Sequence, residues 1–146
     1  MVEGIAEALE RISQAKGRNG KIEALRGSSS KAMKAVMGYC FDPTVEWLLP
    51  EGAPPYTPLK KSTDSQATLL AKHHMLEYFV KSPKFPNMTQ VKREQVFIQF
   101  LESLDPDDAA LIISIKDGNM PYDGITAFVA AKAFPTISAH WDKKET

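Results

Sequence analysis

The sequence has a single cysteine, Cys40, which excludes an internal disulfide. Flanked by Tyr39 and Phe41, it reads as a small buried apolar residue, and the chain as one of a reducing, cytoplasmic compartment. No apolar run approaches the length of about 18 residues that a membrane-spanning helix needs. The N-terminus, Met1-Val-Glu-Gly-Ile-Ala-Glu, carries acids where a secretory signal needs bases. Sustained period-2 alternation, internal repeats and low-complexity tracts are all absent, as is a Gly-x-x-x-x-Gly-Lys-Ser/Thr phosphate loop. Net charge is zero, from 18 Lys+Arg and 18 Asp+Glu. That balance argues against a protein that holds nucleic acid by bulk charge alone.

What is present is an average globular composition, 43% hydrophobic and 25% charged, in 146 residues. This is enough for one domain with a real core. The charge is unevenly spread. Residues 11–40 hold Arg11, Lys16, Arg18, Lys21, Arg26, Lys31 and Lys34 against Glu23, a net of +6. Residues 60–93 carry +5, and residues 94–123 carry −6. Such a chain folds into either a molecule with a basic and an acidic side or a solvated mixed surface.

Helical periodicity runs throughout. Ile5, Ala8, Leu9 and Ile12 mark a helix over 2–15, ended by Gly17-Arg-Asn-Gly20. Lys21–Arg26 is a short helix closed by Gly27. Ser28, Ser29 and Ser30 offer N-caps for a helix from Lys31 to about Tyr39. Asp42-Pro43 predicts a helix over Thr44–Leu49. Residues 50–58, rich in proline, follow an extended path. Thr63 or Ser65 caps a longer helix through Lys81, and Thr89 caps Gln90–Leu104. Asp105-Pro-Asp-Asp starts a helix to Ile115, with a capping carboxylate, proline at the first position and acids in the first turn. Lys116–Tyr122 is loop, 124–133 is helix, and Phe134-Pro135 ends it. The expected architecture is all-α: a compact bundle of about seven or eight short helices spanning 1–135, with a polar tail over 136–146. In that tail Ile137 and Trp141 stand one helical turn apart, which favours Trp141 packing back on the domain.

The motifs that carry chemistry are few. His73 and His74 are adjacent on a helix, about 100° apart, so they do not share a metal. Asp105, Asp107 and Asp108 are explained by capping. Lys116-Asp117-Gly118 resembles the Lys-x-Asp-Gly of nucleotidyltransferases but lacks the intervening residue. No catalytic set, metal site or cofactor loop emerges, and a non-enzymatic protein without cofactor or small-molecule substrate is expected. The basic residues are more informative. Lys21, Arg26, Lys31 and Lys34 bracket helix ends and the serine turn at Ser30, a mixture of ammonium, hydroxyl and amide donors suited to phosphate. The alternative there is plain helix-end solubility. The loop and helix start near Gly124 offer a second phosphate contact, against the alternative of an Asp123 N-cap with Gly124 allowing tight packing.

Three segments carry a family resemblance. Lys21-Ile-Glu-Ala-Leu leads through the serine turn to Met33-Lys-Ala-Val-Met-Gly-Tyr39. Phe41-Asp-Pro-Thr-Val-Glu-Trp-Leu-Leu-Pro50 follows. Asp107-Asp108 through Lys116-Asp117, Gly124-Ile-Thr and Ala131-Lys-Ala-Phe-Pro135 complete the order. The chain resembles the N-terminal, all-helical DNA-binding domain of ATP-dependent DNA ligases, especially those of T-even-type bacteriophages, over most of residues 5–135. It also looks like small proteins encoded by T-even-like phages. The loop before Gly124 is longer than the ligase pattern, and the adenylation and OB-fold domains have no counterpart. The resemblance therefore implies DNA contact without sealing chemistry. By position it places Lys116, Gly124, Thr126 and Lys132 near the duplex backbone.

The function expected from this reading is a non-catalytic, phage-type DNA-binding protein in the cytoplasm of an infected bacterial cell. It would grip duplex or nicked DNA through the backbone, with Lys21, Arg26, Ser30, Lys31, Lys34, Lys116, Gly124, Thr126 and Lys132 as its contacts. The alternative is a protein-interaction factor that keeps the ligase-domain fold and acts on a phage or host replication or repair partner. No membrane association is expected.

Overall fold

Several helix starts in this chain are set by short polar side chains that accept from orphan backbone amides. Ser30 Oγ accepts from Met33 N at 3.1 Å, Thr89 Oγ1 from Lys92 N at 3.2 Å, and Asp105 Oδ2 from Asp107 N at 3.0 Å. The computed structural model describes residues 3–60, 67–85, 87–139 and 141. Among these it contains α1 (Ile5–Ser13), α2 (Gly17–Arg26), α3 (Lys31–Phe41), α4 (Thr68–Lys72), a 3₁₀ helix (His73–Phe79), α5 (Gln90–Ser103), α6 (Pro106–Lys116), α7 (Ala127–Ala133) and α8 (Pro135–Ser138). The described part of the fold is all-helical. Its one strand-like pairing is an isolated antiparallel bridge between Trp47 and Val80.

Helix α6 is the central element. Ala109, Leu111, Ile112 and Ile115 are all buried, and α1, α3 and α5 pack around it. Its Asp108, 1% exposed, accepts from Ala6 N at 2.8 Å. This bond solves a local problem. The N-cap of α1 is Gly4, which has no side chain to offer. A carboxylate from another helix takes the role and ties the first turn of α1 to the core. Phe79, Phe97 and Phe100 form an aromatic cluster between the 3₁₀ helix and α5, with Phe79 centred 5.0 Å from Phe97 and 5.6 Å from Phe100. Arg93 is buried and donates to Tyr78 O, Met88 O and Gln90 Oε1, closing the loop between these helices.

Four local expectations are corrected. The second helix begins at Gly17 and not Lys21, because Gly17 takes φ +72° and turns the chain at once from α1 into α2. Thr44–Leu49 is not helical. Asp42 Oδ1 does accept from Thr44 N and Thr44 Oγ1, but the turn ends there. The chain is drawn out by backbone bonds from Leu48 N to Phe79 O and from Lys81 N to Glu46 O, and Trp47 Nε1 donates to Tyr39 O. That same pairing holds Val80 extended, so the helix expected through Lys81 is the short α4 followed by the 3₁₀ run. The caps proposed at Thr63 and Ser65 lie outside the described residues. Finally, the last long helix starts at Ala127 and not at 124. Gly124 has φ +80°, outside helical space, and Thr126 is the N-cap, its Oγ1 accepting from Val129 N at 3.3 Å.

Beyond Ala133 the described residues, 134–139 and 141, fold back onto the domain. Pro135 opens α8 at its first turn, and Trp141 is 6% exposed, its ring 6.4 Å from that of Phe41. No helix among the described residues is long and apolar enough to cross a membrane.

Candidate nucleic-acid interface

The segment 124–134 is where the basic side chains meet. Helix α2 packs along α7, and α3 reaches the far end of α7. In α2, Ile22 and Leu25 are buried, which leaves Arg18 and Arg26 on the outer surface and Lys21 half-buried between the two helices. The Arg18 guanidinium lies 4.7 Å from the Phe128 ring centre, and Lys132 Nζ lies 5.5 Å from the same ring. Arg26 donates to the carbonyl of Lys132 at 3.0 Å, satisfying an orphan acceptor at the C-terminal turn of α7. Lys34 Nζ is 5.9 Å from the Phe134 ring. Three cations from α2 and α3 thus lie around α7, which carries a fourth, Lys132.

Lys21 plays a different part. Its Nζ donates to Ala15 O at 2.8 Å, and its aliphatic stem crosses directly over Gly124. A Cβ at position 124 would push aside the flexible end of Lys21, while the positive φ of +80° is what favours glycine there. Thr126 is engaged as the α7 N-cap and Ser30 as the α3 N-cap. Lys31 is exposed at the start of α3 and shares a shallow groove with Lys34 and Asp42.

Lys116 does not join this group. It is 7% exposed, and its Nζ donates to Pro50 O at 2.8 Å, Gly52 O at 3.0 Å and Asp117 Oδ1 at 2.6 Å. All three donors of the ammonium are spent on pinning the proline-rich segment to the end of α6. Of the nine residues singled out from the sequence, Lys21, Arg26, Lys34, Gly124, Thr126 and Lys132 therefore come together around α7. Ser30 and Lys31 flank the group, and Lys116 is removed from it.

Two participants were not singled out from the sequence, Arg18 and Phe128. Phe128 is 48% exposed, a large aromatic left on the surface. The signal for it was the spacing of α7: Val129, Ala130 and Ala133 define the buried stripe, and Phe128 falls off it.

The acids of 94–123 do not form an open counter-face. Glu102 accepts from Thr57 N, Asp105 caps α6, Asp108 holds α1, and Asp117 accepts from Gly52 N and Lys116. Elsewhere, burial pushes the half-buried Cys40 thiol up to about 12, and burial followed by the charge of Glu77 raises the Tyr39 hydroxyl. The Glu3 carboxyl is held below its usual range by the Arg11 guanidinium, which donates to it at 2.8 and 3.0 Å. His73 turns Nδ1 to Leu70 O while His74 is exposed, and no group of three metal-ligating side chains occurs among the described residues.

No curated protein and no solved structure matches this chain. A family model does match, over residues 8–122, taking in α2 to α6 and stopping short of α7. That match covers most of the sequence, and the chain belongs to the family of unknown function DUF6433.

Proposed function

We propose that the protein is a non-catalytic DNA-binding module that contacts the duplex backbone without strong sequence preference, a stand-alone counterpart of the ligase N-terminal domain working in the cytoplasm of a phage-infected cell. The observation that carries this reading is the convergence of Arg18, Arg26, Lys34 and Lys132 on α7. Arginine and lysine on adjacent helix ends suit phosphates, which fix register and carry no sequence information. The same reading gives Cys40 no nucleophilic role, since burial pushes its thiol up to about 12.

The test is charge reversal. Arg26→Glu with Lys132→Glu should weaken duplex binding at least tenfold, equally for unrelated sequences, in a fluorescence anisotropy titration. The second reading, a protein-interaction factor acting on a replication or repair partner, is favoured by the zero net charge. It gains if the wild-type protein and the double variant bind DNA equally poorly.

A further inference from the structure

Helix α7 is a ridge between two grooves. Asn19, Ile22, Glu23 and Arg26 line a polar groove on one side. Phe41, Pro43, Ala131, Pro135 and Trp141 line a groove of about 590 Å³ on the other. Phe128 and Lys132 border both. The wall of the second groove carries an unusual group: Trp141 is almost fully buried, and its indole Nε1–H, closed to solvent, has no hydrogen-bond partner among the described residues. Buried donors are normally satisfied, and an exception calls for a ligand or a reason.

We propose that this second groove receives one unpaired nucleobase from a DNA strand whose phosphates lie on Arg18, Arg26 and Lys132. The inference rests on the DNA-binding reading and names the DNA structure that the site prefers. The groove lies within the usual range of small-ligand sites, roughly 300–1,000 Å³. Every nucleobase has a π face, which an exposed phenylalanine can stack, and the indole of Trp141 lines the groove that would hold it. The cations fit the same occupant. Arg18 and Lys132 rest on the Phe128 ring, and phosphates would draw them outward and uncover the ring for a base. A peptide of Pro-rich type would also suit aromatic walls, but it has no use for a cationic rim.

The test compares an intact duplex with the same duplex carrying one unpaired 2-aminopurine. It uses the wild-type chain and a Trp47→Phe variant, in which Trp141 is the remaining indole of the two. The unpaired site should raise affinity about tenfold, quench the 2-aminopurine and shift Trp141 emission. Phe128→Ala should erase the preference and the quench, and Phe128→Tyr should keep both; position 128 is exposed, so neither change threatens the fold. Salt-dependent binding of equal strength to both duplexes, with no quench, would overturn the inference and leave the DNA-binding reading standing. Absence of binding to either duplex would overturn both. A Trp141 shift on adding a proline-rich peptide, with none on adding DNA, would give the groove to a protein partner and overturn the inference.

Discussion

Residues 11–40 and 94–123 carry opposite net charges of equal size in the sequence, and the fold treats them differently. The acidic stretch is largely turned to internal use: four carboxylates, those of Glu102, Asp105, Asp108 and Asp117, accept from backbone amides. The basic stretch keeps Arg18, Arg26 and Lys31 at the surface. The asymmetry follows from chemistry. Carboxylates are short acceptors, and helix starts present clustered orphan N–H groups that need acceptors. Lysine and arginine are long donors whose stems lie on the protein while their heads stay in water. A zero net charge over the whole chain therefore coexists with a basic surface around α7.

The comparison breaks most visibly at Asp108. Asp108→Ala leaves the Ala6 amide buried without its acceptor, and should cost about 2–3 kcal/mol, or roughly 6–10 °C of thermal midpoint by calorimetry. DNA affinity at a temperature where the variant is folded should be unchanged. Lys116→Met is a sharper version, since it removes a cation that the ligase resemblance placed near DNA. Its acceptors at Pro50 and Gly52 are exposed and can turn to water, so the loss should be about 1–2 kcal/mol in urea denaturation, again with DNA affinity intact. Lys31→Glu with Lys34→Glu is the converse. Stability should move by no more than about 0.5 kcal/mol, while duplex binding weakens several-fold at all sequences. The smallest effect concerns Cys40. With its thiol pushed up to about 12 by burial, less than about one thousandth is thiolate at pH 8, and alkylation in the folded protein should be far slower than in urea.

Much of the fold was legible because the chain announces its helix starts. Ser30, Thr89 and Asp105 each cap the helix that the sequence predicts after them, and the apolar stripes of α1 and α5 are buried as spaced, apart from a half-exposed Val96. The misses share a cause, long-range pairing. The start signal at Asp42-Pro43 is real, but backbone bonds to residues 79–81 outweigh it, and the same bonds end the helix expected through Lys81. At the site, clustering of cations along the chain anticipated Arg26 and Lys34, because the helices that carry them pack on α7. Sequence order gave no sign that Lys116 would be captured by Pro50 and Gly52, more than sixty positions away. Phe128 was readable from helical spacing once α7 is started at the correct residue.

The central claim, that the cations around α7 hold a DNA backbone, is tested most directly by the salt dependence of duplex binding. Arg18, Arg26, Lys31, Lys34 and Lys132 together would neutralise about five phosphates, which gives a slope of log affinity against log salt of about −4 to −5. Charge reversal at Arg26 and Lys132 should flatten that slope by about 2. A slope near zero, or one that the reversal leaves unchanged, would contradict the account.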